Sequence, residues 1–235
     1  MKWRFSLTEN VQCHGKRMML DDFLARYNAI LLIFFAGAAV SIVIGFYWGR
    51  RRNLALIREF SQEMETALRP LDQTYTWLGG EIGFRADYQT EGEFSSVEAT
   101  CTMLPRQSVL YFPIARVITG FDRLYVLFRV QKNIKEEAHI LDPWYGKTRG
   151  QKIQNRSNLY AEQIQVGPRT FELLFRNSRI ATEMKSFLGS LERPDLLKHL
   201  AINPDTQTIY LLMVPRPVHV RNYLSHTIRL IRQIT

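Results

Sequence analysis

The residues of this chain with chemistry to offer are five histidines, two cysteines and a scatter of carboxylates. His219 and His226 stand seven positions apart, so on a helix they share a side, where two imidazoles could hold a metal ion. No carboxylate lies near them in sequence, and a solvated helix face accounts for them equally well. His14, His139 and His199 have no ligand-like spacing. Cys101 alternates with apolar residues and reads as an inert small hydrophobe. Cys13 and Cys101 flank a long apolar run, so they form neither a C-x-x-C site nor an internal disulfide if that run spans a membrane. Glu81, Asp87 and Glu98 could meet across strands, but the sequence does not order those strands. The phosphate-binding G-x-x-x-x-G-K-[ST], the dinucleotide G-x-G-x-x-G, H-E-x-x-H and G-x-S-x-G are all missing. The sequence therefore assigns no catalytic, cofactor-binding or metal-ligating residue.

Its basic residues are more informative. Lys and Arg number 31 against 22 Asp and Glu, a net charge of +9, which suits an anionic membrane surface, RNA or an acidic partner. Residues 143–158 carry Lys147, Arg149, Lys152 and Arg156 beside Trp144 and Tyr145 with no acid among the cations, a composition suited to phosphate or lipid headgroups. The segment reads as a loop. From Arg216 onward the chain has no acid, and Arg221, Arg229 and Arg232 fall on one side of a final helix. The plain alternative is that these cations are simply solvated.

What must position these groups is organised by residues 29–48, an uncharged run rich in Ile, Leu, Phe and Val. About 20 helical residues cover roughly the 30 Å of a bilayer's hydrocarbon core. Tyr47 and Trp48 stand where an aromatic belt belongs, and Arg50, Arg51 and Arg52 follow as a basic stop that touches headgroups. The excess of Arg after the run predicts the N-terminus outside and the C-terminal domain in the cytosol, on the cell membrane of a prokaryote or the endoplasmic reticulum of a eukaryote. The Met18-Met19 pair offers a second start, which strengthens that orientation. Within the run, Gly37, Ser41 and Gly45 form a small-residue face on which another helix could pack.

Residues 1–28 then form a short extracytoplasmic tail and residues 49–235 the cytosolic domain. Its patterning predicts an α+β fold, an antiparallel or mixed sheet with helices packed on one face. Residues 53–69 continue as a helix with Ile57, Phe60, Met64, Ala67 and Leu68 on one side, stopped by Pro70. Strands are expected at 75–78 and 81–88 around Gly79-Gly80, then at 96–104, 123–130, 137–141, 160–166, 171–176, 197–202 and 208–214. Helices are expected at 110–118, 178–191 and 217–234.

The layout resembles calumin, the endoplasmic-reticulum protein of the multipass translocon that works with the Asterix subunit. The likeness is carried by Gly49-Arg50-Arg51-Arg52-Asn53 with Leu56, by Ile114-Ala115-Arg116-Val117-Ile118 leading into Leu124–Phe128, and by Phe171-Glu172-Leu173-Leu174-Phe175 with Arg179, Met184 and Phe187. The chain lacks that family's long acidic lumenal region and its extended C-terminal tail. The resemblance implies a compact relative, an accessory factor in membrane-protein insertion or folding, with an insertase or translocon component and the ribosome as partners. Two other functions remain in view: an anionic-lipid or nucleic-acid-binding module, and a membrane-anchored enzyme whose site assembles from scattered residues.

Overall fold

The computed structural model describes residues 8–92, 94–148, 153 and 156–235, with only the backbone course given for 8–26 and 147–148. One helix, α1 (Thr8–Leu68), runs through the apolar stretch and into the domain. It begins well before residue 29, taking in most of the segment read as a tail. Tyr27–Leu68 contains a window of mean hydropathy 2.7 of which none is buried against the rest of the chain. A helix of a soluble core would be packed; this one is a candidate membrane span. At its other end Arg69 turns left-handed (φ 46°) before Pro70, and the helix stops.

Among the described residues, nine strands form one wholly antiparallel sheet in the order β1-β2-β3-β4-β9-β8-β5-β7-β6. The strands are β1 (Asp72–Trp77), β2 (Gly83–Gln89), β3 (Phe94–Thr102), β4 (Arg123–Val130), β5 (Ala138–Leu141), β6 (Tyr160–Val166), β7 (Arg169–Phe175), β8 (Leu197–Asn203) and β9 (Thr208–Met213). β1 to β4 form a meander. The chain then skips two strand places to lay down β5, goes out to the β6–β7 hairpin at the edge, and returns to fill the gap with β8 and β9.

One face of the sheet carries the main core. Every second residue along the strands, such as Val97, Ala99 and Cys101 or Leu124, Val126 and Phe128, meets Ile57, Phe60, Met64 and Leu68 of α1. The same core takes Ile180, Met184 and Phe187 of α4 (Ser178–Ser190) and Val220, Tyr223 and Leu224 of α5 (Pro217–Ile234). α5 touches both α1 and α4 and lies between them. α4 is capped by Asn177, whose side chain accepts from the Ile180 amide.

The opposite face divides in two. Over β2–β4 it is a solvated charge lattice in which Glu98 joins Arg85 (3.0 Å) and Arg129 (2.6 Å). Over β5, β7, β8 and β9 it is largely buried, with Leu141, Leu174 and Leu212 beside the His139 and His199 rings. That patch needs a cover, and Tyr145 and Gly146 contribute to one. The expected loop is instead opened by a short helix, α3 (Pro143–Thr148), with a 3-10 turn at Arg156–Asn158. The correction has a local cause: the Asp142 carboxylate accepts from the Trp144 and Tyr145 amides (3.0 and 3.2 Å), which nucleates the turn. Tyr145 is buried and meets Phe121 at 6.5 Å.

Candidate contact site at the neck between helix and sheet

Where α1 leaves its apolar stretch, Gly45, Gly49 and Asn53 follow one another at four-residue spacing, and so line one stripe of the helix. The segment between β3 and β4 lies along that stripe. A Cβ added at Gly49 would overlap the backbone carbonyl of Arg106, and one at Gly45 would overlap the Val109 side chain. Only glycine permits this approach.

Asn53, 0% exposed, is the centre of the joint. Its Nδ2 donates to the carbonyls of Glu81 (3.2 Å) and Leu104 (3.1 Å) and to Gln107 Oε1 (3.2 Å). Its Oδ1 accepts from Arg106 Nη1 at 2.9 Å. Arg106 also grips Asp122 (2.6 Å), which accepts in turn from the Leu104 amide at 2.8 Å. The β1–β2 turn joins from the other side: Gln107 donates to the Gly80 carbonyl and Arg50 pairs with Glu81 at 2.7 Å. Gly79, Gly80 and Glu81 are all left-handed (φ 83°, 53° and 52°). For Glu81 that conformation is strained, and its side-chain and carbonyl bonds to α1 hold it there.

The structure thus separates the three arginines expected at headgroups. Arg50 is a joint residue, whereas Arg51 and Arg52 are exposed. Of the expected helix-packing face, Gly45 is covered by the chain's own Val109, Gly37 faces open space, and Ser41 bonds back to the Gly37 carbonyl at 2.8 Å. The role of Asn53 and Gly49 was visible only as a pattern after the apolar run, because their partners lie 28 to more than fifty positions away in sequence.

Arg156 is tied to Glu172 at 2.6 Å, Trp144 is exposed, and Lys147 sits on α3. Arg149 and Lys152 lie outside the described residues. On α5, Arg221, Arg229 and Arg232 are exposed, on the side away from the core. His219 and His226 do not converge: His219 faces Glu192 at 3.8 Å, and His226 shares a hydrogen bond with Ser190 at 3.0 Å.

A different pair of histidines does meet. β5 and β8 are neighbours, so His139 Nδ1 comes within 3.4 Å of His199 Nε2, with the rings stacked at 5.6 Å. Glu137 lies 3.2 Å from the other nitrogen of His139, and Tyr210 meets the His199 ring edge-on at 5.4 Å. Sixty residues separate the two histidines, and no local spacing could have joined them. Burial pushes His199 down to about 3, helped by its neighbour's charge. Burial also lowers His139, against the opposing pull of Glu137. Both are therefore neutral at pH 7 and share one N–H between them. Among the described residues no three His, Cys, Asp or Glu side chains are grouped to hold a metal ion.

This pair makes the fold sensitive to acid. In the unfolded chain each imidazole takes up a proton near pH 6.5, while in the folded state it does not. Stability from the pair is therefore complete above that pH and falls as pH drops below it, by at most about 1.4 kcal/mol per pH unit from His199, with His139 acting in the same direction. The melting temperature should decline between pH 7 and pH 5, and His199→Phe should flatten the decline. A profile already flat in the parent protein would show that the histidines are not held neutral.

No family model and no curated protein matches the chain. Among solved structures, the crystal structure of the mycobacterial trehalose monomycolate transport factor A, TtfA, aligns over 75% of this chain and 92% of that one, at 12% identity and a TM-score of 0.37. A likeness that slight carries no inference about this chain.

Proposed function

We propose that the protein is a membrane-anchored, non-enzymatic binding protein whose domain faces the cytosol and assists the insertion or folding of other membrane proteins. The observation that carries this reading is the joint itself. Four hydrogen bonds at Asn53 and the close approach at Gly49 fix the sheet to the candidate span. A flexible tether would serve a domain that only needs to stay nearby. A fixed joint suits one that presents a surface at a set height and angle to the bilayer. Gly49, Arg50 and Asn53 of the joint are also among the residues on which the resemblance to calumin rests, and Arg51 and Arg52, exposed beyond the span, favour the cytosolic side.

The test is affinity purification from gently solubilised native membranes, with mass spectrometry of what accompanies the protein. Ribosomal proteins, an insertase or a small multi-span partner are the expected companions. Lys147→Glu combined with Arg149→Glu is expected to abolish co-sedimentation with ribosomes. Recovery of the protein alone, with binding to anionic vesicles as its sole interaction, would replace this reading by that of a lipid-binding module.

A further inference from the structure

Helix α2 (Phe112–Ile118) and the residues before it wear their apolar side chains outward. Leu110 is 75% exposed, Val117 82% and Ile118 63%, with Tyr111 and Ile114 also more than half exposed. Within α2 only Ala115 is buried. Ile114, Val117 and Ile118 stand at i, i+3 and i+4, so they form one side of the helix. Single exposed apolar residues are ordinary on a protein surface, but a contiguous set this dense marks a surface with a partner.

Its position identifies that partner. The segment is bonded to α1 at the end of the uncharged run: Arg106 and Gln107 on Gly49 and Asn53, and Val109 on Gly45. Gly45 lies one turn inside Gly49, about 6 Å further along the helix axis. The segment therefore reaches the depth at which interfacial helices lie, roughly 5–10 Å into the boundary between headgroups and acyl chains. Between Ile42, Val43, Phe46 and Tyr47 of the span and Val109 and Leu110 runs an open apolar cleft of about 470 Å³. Trp77 and Leu78, both exposed, project from the adjoining β1–β2 turn. Arg51 and Arg52 of α1 and Arg116 of α2 are exposed, and at the membrane surface anionic headgroups would meet them.

We infer that residues 108–118 are a second membrane contact, an interfacial foot that lies in the bilayer surface beside the anchor, with Leu110, Ile114, Val117 and Ile118 among the acyl chains. The inference rests on the anchor reading of α1. The foot adds a second point of attachment, so the sheet stands on the membrane rather than hanging from one helix.

The test uses the full-length chain in phosphatidylcholine–phosphatidylglycerol liposomes. Cys13 is changed to serine and the buried Cys101 is left in place. Single cysteines at Leu110, Val117, Ile44 and Tyr160 carry an environment-sensitive fluorophore. Tyr160 is exposed and lies on β6, at the far edge of the sheet. Labels at 110 and 117 are expected to shift to the blue, and lipid-borne nitroxide should quench them at least roughly threefold more than the label at 160. The label at 44 reports the anchor separately. If 44 is quenched by lipid while 110 and 117 are as open to aqueous iodide as 160, the foot is wrong and the anchor stands. If 110 and 117 are shielded from both quenchers, protein rather than lipid covers the patch, which also overturns the inference. If 44 itself escapes lipid quenching, the anchor reading fails and the foot with it.

Discussion

Asn53→Leu is expected to cost about 2–5 kcal/mol and to turn the rigid joint into a hinge. Leucine keeps the branched four-atom skeleton with bulkier methyl groups, so lost hydrogen bonding and some overpacking act together. The side chain it replaces is wholly buried and serves the Glu81 and Leu104 carbonyls, Gln107 and Arg106. Each buried polar group left without a partner costs about 1–3 kcal/mol. Arg106 retains Asp122 and the Leu104 carbonyl retains the Arg106 amide at 2.8 Å, but the Glu81 carbonyl loses the Asn53 amide that faces it, and the leucine fills the place where water would enter. The melting temperature in mild detergent should fall by several degrees, and proteolysis at 79–81 and 104–107 should accelerate while the β5–β9 part of the sheet stays protected. Gly49→Val should act in the same direction through overlap with a backbone carbonyl, which cannot swing aside as a side chain would. An Asn53→Leu protein with unchanged melting and cleavage would show that the joint does not hold the domain.

The second large effect is expected at Asp142. Its carboxylate is almost fully buried and does two jobs. One oxygen caps α3, and the other takes Lys198 Nζ at 2.6 Å, with Lys198 itself only 7% exposed. Asp142→Ala removes a cap worth about 1 kcal/mol and strands a buried ammonium, which by itself costs about 3–5 kcal/mol. Lys198 would keep the Asp195 carbonyl at 3.1 Å and the Phe121 ring at 5.8 Å, neither of which carries a full negative charge. The ordering of this pair of mutants is the sharper check. Asp142→Leu with Lys198→Met should be less destabilised than Asp142→Ala alone, because no unpaired charge is left behind. Urea unfolding of the single and double variants decides it, and a double variant no better than the single would place the cost in the cap rather than in the charge.

Much of the secondary structure was legible because each piece announces itself locally. The expected bounds of β4, β6 and α5 coincide with those observed. In β4 the alternation of buried Leu124, Val126 and Phe128 with less buried neighbours is the period of a sheet with one covered face. In α5 a proline at the first turn sets the start, and the apolar side repeats at helical spacing. The sheet's antiparallel character was likewise within reach, since hairpin turns such as Gly167-Pro168 join neighbouring strands.

Strand order was not legible. β5 sits between β8 and β7, and nothing in Ala138–Leu141 says so. All four of its residues are buried, so alternation could not even tell its two faces apart. The histidine pair follows from that placement alone. Pro143–Thr148 departs from the expected loop for a related reason: a short run rich in glycine and charge reads as a loop, while the cap from Asp142 and the buried patch beneath Tyr145 make it helical.

The sequence by itself determined that a long uncharged helix leads into an α+β domain, its sheet antiparallel or mixed, because hydrophobic period, helix caps and breakers act over a few residues. Tertiary structure alone decided what the small and polar residues after that helix are for. Gly49 and Asn53 could as well have faced water or a second helix. They are a joint because the β3–β4 segment and the β1–β2 turn, distant in sequence, converge on one stripe of α1, and a buried amide is stable only where every partner is supplied.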